Sequence, residues 1–432
     1  MAEKKRIKKS LKVSFLDGIF ASIMTGMTTD YITPYALALK ASVRQIGILN
    51  ALPNFFAALM QLKSPDFTEL QGSRKKVIVS FVLLHALMAV PIILIPYLFQ
   101  DNAVTYLIIF VTFFTAFNAF AGPAWASLMS DYIPPKMRGR YFGWRNKMLG
   151  IVTIIAAFSA GTILQLFKKD ILKGFLVIFI IAFVSRLISW WFLTKMYEPP
   201  LRITKEDYFS FWDFIRRFHQ SNFLKFVIFV AGLHFSVNVA APFFSVFMLR
   251  DLKFNYLTYT VLVTTVTVAH IFTIDRWGRH ADHFGNLKIL KFTSLFIASL
   301  PLWWIINHNP IYLIFIQILS GFAWSGFNLC AVNFIYDAVK PEKRTRCIAY
   351  FNFFSGVATC LGAVLGGYLA NILPQIFSYR LLSLFFLSSI LRFSVVFFIS
   401  RKIKEVRIVE KIKSKDLLFS IIGIKPALDF NN

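Results

Sequence analysis

Acidic residues are scarce in this chain. Asp and Glu number 21 against 47 Lys and Arg, and charged residues make up only 16% of 432 positions, where soluble domains carry about 25%. Cysteine is nearly absent: Cys330, Cys347 and Cys360 are an odd set that builds no disulfide framework, and no His/Cys cluster has metal-ligand spacing. There is no G-x-x-x-x-G-K-[ST] run, which argues against ATP-driven pumping. No cofactor, no metal and no enzymatic activity are therefore expected.

Apolar residues are abundant instead, at 57% of the chain with 50 Phe. A bilayer core of about 30 Å takes about 20 apolar residues per helix. By that measure the chain holds twelve segments, near 13–38, 45–62, 77–99, 103–128, 147–167 and 172–196, then 223–249, 256–274, 287–306, 310–335, 348–372 and 379–400. The expected fold class is an all-α polytopic membrane protein of twelve transmembrane helices. The start, MAEKKRIKKSLK and an apolar run, has features of a signal peptide, with Ala36-Leu37-Ala38 as a cleavage-like site. The run is too long for one and carries Asp17 and Asp30, so it is read as a retained first span.

The net charge of +26 raises the possibility of a nucleic-acid partner, but position excludes it. Segments on the side of both termini hold 37 Lys and Arg, those on the other side 8, and Arg186 and Arg392 lie within spans. That bias places the termini in the cytoplasm of a plasma (inner) membrane protein. The expected parts are a basic tail 1–12, a six-helix bundle 13–196, a linker 197–222, a second bundle 223–400 and a basic tail 401–432. In the linker, Phe211, Phe214, Ile215 and Phe218 share one helical face, which predicts an amphipathic helix over Tyr208–Gln220 at the membrane interface.

The two bundles repeat one another. Residues 130–146 laid on 336–352 give five identities in 17 positions: Asp131 with Asp337, Pro135 with Pro341, Arg138 with Arg344, Arg140 with Arg346 and Asn146 with Asn352. The same offset of 206 pairs Arg186 with Arg392, Gly150 with Gly356 and Gly161 with Gly367, and an offset of 208 pairs Pro34 with Pro242 and Asp30 with Asn238. Parallel six-span repeats related by an axis along the membrane normal are a mark of transporters.

With its central loop and cytoplasmic termini, the chain resembles a major facilitator superfamily transporter over nearly all its length. That family's Gly-x-x-x-Asp-basic-x-Gly-basic-basic motif joins spans 2 and 3 and recurs between 8 and 9. The second copy here carries Gly278, Asp282, Gly285 and Lys288. The first carries Glu69, Gly72, Arg74, Lys75 and Lys76, with Pro65 in place of the first Gly and Leu70 in place of a basic residue. The resemblance implies a solute-carrying secondary transporter working by alternating access. Glycines allow the tight turn, and the acid accepts hydrogen bonds from a helix N-terminus or an Arg. A clasp that holds in one conformer and opens in the other is expected from these residues, completed by Asp131, Arg138, Asp337 and Arg344.

Ionisable residues within spans are costly and mark function. Asp30 falls in the outer half of the first span and His234 near the midplane of the seventh, one turn before Asn238. Asp30 and His234 are the proton-coupling candidates. Asn54, Asn118, Asn238, Thr264, Trp324 and Asn328 are the candidates for a substrate cavity. Asp17 is expected to be structural, and Arg186 and Arg392 to pair with another helix or snorkel, with anion binding by Arg186 as the alternative. The expected partners are a small-molecule substrate, protons and the lipid bilayer, with a monomeric chain. Drug efflux and a non-transporting receptor or scaffold on the same fold are the alternatives. Drug antiport is disfavoured because the fifth span, GIVTIIAAFSAG, lacks a Gly-Pro run.

Overall fold

A computed structural model describes residues 2–200, 221–339, 344–407, 409, 416–417 and 420. The first half contains α1 (Ala2–Thr28), α2 (Ile32–Ala38), α3 (Val43–Gln71), α4 (Arg74–Leu87), α5 (Ala89–Leu98), α6 (Ala103–Tyr132), α7 (Pro135–Leu166) and α8 (Ile171–Thr194). The second contains α9 (Asn222–Asn238), α10 (Ala241–Val246), α11 (Tyr256–Phe284), α12 (Asn286–Ile306), α13 (Pro310–Ala338), α14 (Arg344–Ile372) and α15 (Arg380–Phe398). With α1–α2, α4–α5 and α9–α10 each taken as one rod, these make the twelve expected crossings. The interface helix predicted over 208–220 lies outside the described residues.

Among the described residues, ten helical stretches are long and apolar enough by themselves to cross a bilayer. The first two spans fall short of that mark. α1 begins in basic residues and stops at Thr28, and α3 is diluted by Asn50, Asn54, Gln61 and Lys63. Both are held inside the bundle by neighbouring helices rather than by lipid alone.

Local chemistry sets the helix ends. Ser42 and Gln45 form a reciprocal capping box at the start of α3, and Ser73, Asn255 and Asn309 cap α4, α11 and α13 through their side chains. α3 ends on Gly72 in the left-handed region, φ 62°, which glycine enters without a Cβ clash. Pro34 and Pro242 sit just past matched breaks in spans 1 and 7, at residues 29–31 and 239–240. The repeat at offset 208 thus corresponds to two helices interrupted at equivalent places, where the first was expected to run unbroken from 13 to 38.

The halves meet along two seams, α3 against α14 and α7 against α11. All four glycines matched at offset 206 lie on these seams. A Cβ on Gly356 would meet Ala58 Cβ at 2.5 Å, one on Gly150 would meet Ile271 Cδ1 at 2.9 Å, and one on Gly367 would meet the Cα of Gly47 at 3.2 Å. Gly161 lies hard against the Thr260 hydroxyl. Small residues let backbones approach closely where lipid offers no hydrophobic drive for helix association. Gly362 and Gly366 serve within the second half, against the carbonyls of Phe235 and Val239.

The apolar core is organised differently at the two ends. Away from the basic loops, one cluster runs through both halves, joining Met24, Tyr31, Tyr35 and Ile46 to Val239, Phe243, Tyr259 and Leu262. Near the basic loops the core is divided. Val13, Val77, Leu128, Tyr132 and Met196 belong to the first half, and Phe226, Leu290, Phe334 and Ile403 to the second, which Leu62 touches from the first.

Candidate functional site

Two cavities lie beside the pseudo-symmetric arginines. The first, of about 330 Å³, is bordered by α1, α4, α6, α7 and α8 and lined by Asp17, Asn118, Trp125, Arg145 and Arg186. The second, of about 360 Å³, lies in the other half against Trp324, Gln317, Ser245 and Arg392. The offset of 206 that pairs Arg186 with Arg392 also pairs Asn118 with Trp324, so each cavity holds one member of each pair.

In the first cavity each nitrogen of Arg186 has a partner. Its Nε donates to His85 Nδ1 at 2.9 Å, Nη1 to Ser189 Oγ at 3.1 Å and Nη2 to Asn118 Oδ1 at 2.9 Å. Ser189 in turn donates to Asp17 Oδ1 at 2.6 Å. The serine relays the arginine to the carboxylate, and the imidazole accepts through Nδ1, which fixes its tautomer. Arg145 enters from α7. Its Nη2 donates to the Ser14 carbonyl at 3.1 Å, and its guanidinium lies 4.8 Å from the Trp125 ring centroid. It passes directly over Gly18, where a Cβ would lie 2.6 Å from Nη2.

Arg392 donates to Ser388 Oγ and to the carbonyls of Ile297 and Val237 at 3.1, 2.9 and 3.3 Å. Pairing with another helix was one expectation for both arginines, and both do so while also lining cavities.

The other candidates divide. Asp30 lies in the break between α1 and α2. Its backbone carbonyl accepts from Tyr259 OH at 2.7 Å, and no hydrogen bond or ion pair reaches its carboxylate among the described residues. His234 sits beside the paired rings of Trp324 and Phe327, at 6.5 and 6.4 Å. Asn238 bonds the carbonyl of His234 at 2.8 Å and Thr359 Oγ1 at 3.4 Å. Thr264 and Asn54 bond carbonyls of their own helices, at Thr260 and Asn50. Asn328 is exposed on α13. These residues do not form one cluster. Asn118 enters the first cavity and Trp324 the second.

Clasps occur in both halves near the basic loops. Arg74 is 2% exposed, and its Nη1 meets Asp131 Oδ2 at 2.6 Å. Glu198 accepts from Ser73 Oγ and from the backbone amide of Arg74, both at 2.6 Å, at the N-terminus of α4. In the second half Glu405 takes the same role, accepting from Leu287 N at 2.7 Å. Asp337 accepts from Asn286 Nδ2 at 2.7 Å and from Arg407 Nη2 at 2.8 Å. That bond to Asp337 raises Arg407 above its ordinary range.

Asp282 stands at 3.6 Å from Arg407 with its side chain 73% exposed. The Glu69 side chain is exposed and takes no part among the described residues; only its carbonyl receives Gly72 N, at 3.1 Å. Arg138 bonds the carbonyls of Ser130 and Ile133 at the end of α6. Gly278 packs near Leu329, and Gly285 adopts φ 86°. The Arg344 side chain lies outside the described residues.

Sequence reasoning passed over Arg145, Ser189, His85, Glu198, Glu405 and Arg407. A signal existed for the two glutamates, since each follows the last span of its half at an offset of 207. His85, an ionisable residue within the third span, carried the same signal as His234, whereas none existed for Ser189, an ordinary member of an apolar run.

The Major Facilitator Superfamily model matches residues 15–235 and 224–428. An uncharacterized transporter of Buchnera aphidicola subsp. Schizaphis graminum is 22% identical over 187 residues, 41% of this chain and 43% of that protein. The probable multidrug resistance protein EmrY of Escherichia coli K12 is 26% identical over 112 residues, 26% of this chain and 22% of that protein. The matched stretch thus spans less than half the length of these curated relatives. Among solved structures, a D-xylose-proton symporter superposes with TM-score 0.72 at 12% identity, covering 93% of this chain and 99% of its own. The nucleoside transporter NupG gives 0.67 at 14%, covering 94% and 100%.

Proposed function

The chain belongs to the major facilitator superfamily, and on that footing we propose that it is a secondary active transporter moving a small organic solute by alternating access of its two halves. The observation that carries this is the divided core. The apolar packing is continuous across the halves at one end of the molecule and separate at the other. Two rigid bundles hinged along glycine-lined seams can rock between that arrangement and its mirror. The clasps fit the same cycle: each ties the helices of one half together near the basic loops, so that the half moves as a body. By the excess of Lys and Arg, the divided end faces the cytoplasm.

Coupling to protons runs through Asp30 in this proposal. Its carboxylate stands at the helix break where the halves touch, with no ion-pair partner among the described residues, and interrupted helices at matched positions are where such transporters bind substrates and ions. His234, near the second cavity, is the second coupling candidate.

The test is solute counterflow in proteoliposomes, with purified protein and a metabolite panel. Saturable counterflow of at least one solute, dependent on protein, is expected. No exchange of any panel member by folded protein would return the chain to a receptor or scaffold.

A further inference from the structure

Resting on the transporter proposed above, we infer that the cavity of the first half holds the charged end of the solute, and that this solute is a small organic anion. The first argument is charge. Arg145, Arg186 and Asp17 are 8%, 7% and 5% exposed, so two guanidiniums share one carboxylate. A buried charge without a partner is costly, and one further negative charge balances this set.

The second argument is vacancy of donors. Arg186 has a partner on each of its three nitrogens, His85, Ser189 and Asn118, which makes it a positioning residue. Arg145 has not: its Nε is buried without a hydrogen-bond partner, while Nη2 is held by Ser14 O and the plane rests by Trp125. Arg186, which only donates, faces the Asn118 oxygen and so fixes that amide with its NH₂ group turned elsewhere. Asn118 is itself exposed on the cavity wall. Arg145 and Asn118 line the cavity, and what each has left to offer beyond these bonds is N–H donors, as an anion requires. A volume of about 330 Å³ suits a small metabolite. The second half lacks this arrangement, because Arg392 is bonded through Nε, Nη1 and Nη2 alike.

The experiment uses the detergent-purified full chain and follows its thermal unfolding midpoint against concentration of butyrate, butyramide, glycerol 3-phosphate and glycerol. At least one anion is expected to raise the midpoint saturably while its neutral counterpart does not. Arg145→Gln is expected to raise the half-saturating concentration roughly tenfold or more, as loss of a charge-assisted hydrogen bond implies, with partial recovery in Arg145→Lys. Asn118→Ala, which leaves every buried charge in place, gives an intermediate shift and serves alone if Arg145→Gln does not fold. The inference is overturned if neither anion stabilises the protein, if the neutral partners do so equally, or if both variants keep the wild-type concentration. Stabilisation by phosphatidylglycerol bicelles but by no soluble anion would assign the cavity to a lipid headgroup and also overturn it. Counterflow of a neutral solute that survives Arg145→Gln sinks the anion site and leaves the transporter standing. Saturable anion binding without counterflow of any solute does the reverse.

Discussion

Tyr259 donates its hydroxyl to the carbonyl of Asp30, 2.7 Å away across the boundary between the halves. That carbonyl would ordinarily accept from the residue four positions on, which is Pro34 and has no N–H. A proline in one half thus creates the acceptor that a tyrosine of the other half satisfies. Beside it, Tyr31 OH lies 2.6 Å from the Ala157 carbonyl and 2.7 Å from Thr260 Oγ1. Together these contacts close the end of the molecule opposite the basic loops.

The closure depends on Gly161 as a surface without a side chain. Gly161→Leu drives atoms into Thr260, and overpacking of this kind costs about 1–3 kcal/mol, charged only to the conformer in which the seam is shut. A cysteine introduced as Asp30→Cys is expected to react faster with an impermeant maleimide from the outer face when Gly161→Leu is also present. An equal rate in both backgrounds would show that the seam does not gate this end.

The clasps predict an order among acidic residues that differs from the order of the motif. Asp337 accepts two hydrogen bonds and Asp131 meets a buried arginine at 2.6 Å, whereas Asp282 is largely exposed. Asp131→Asn and Asp337→Asn are expected to slow transport several-fold. Asp282→Asn should have a smaller effect, with stability changed by no more than about 0.5 kcal/mol, as for surface substitutions. Arg74→Met removes the partner of two acids and is expected to lower the unfolding midpoint, by about 1.5–3 kcal/mol for the hydrogen bond to a charged group, since Asp131 is 42% exposed and can be solvated. A larger transport defect in Asp282→Asn than in Asp337→Asn contradicts this ranking.

Asp17 and Arg186 are coupled through Ser189, so their substitutions should not add. Asp17→Asn and Arg186→Gln, alone and combined, form a cycle whose interaction energy is expected at about 0.5–3 kcal/mol. Additive unfolding midpoints would mean that the serine relay carries no energy.

Proton coupling has its own signature. With the outside more acidic than the inside, the wild type should accumulate the solute it exchanges. Asp30→Asn should lose that accumulation while retaining counterflow, because exchange needs cycling but no net proton movement. His234→Gln should mainly raise the half-saturating solute concentration. Accumulation by Asp30→Asn under the same gradient would move coupling to His234, to another ion, or remove it.

Much of the architecture was legible because lipid imposes one-dimensional rules: run length gives spans, and duplication leaves offsets. The matched glycines on the seams follow from the same offsets. The site was less legible. Asn118, Thr264 and Asn54 look alike in sequence, yet one bonds an arginine and two bond their own backbones, a difference made by neighbouring helices. Arg145 lay in a basic loop stretch and read as topology-setting charge. Only packing shows that α7 carries it over Gly18 into the bundle. Glu69 stands where the motif has Asp, yet its side chain is exposed, and Glu198 caps α4 instead.

The central claim is that the two halves rock about their seams. With Cys330, Cys347 and Cys360 replaced, spin labels at Met137 and Lys402 report separation at the basic end, and labels at Lys169 and Ile311 report the opposite end. Pulsed electron–electron resonance in lipid nanodiscs is the most direct measurement. Two distance populations are expected for each pair, with shifts of opposite sign when solute or pH alters the balance. A single distance at both ends under every condition would contradict alternating access in this chain.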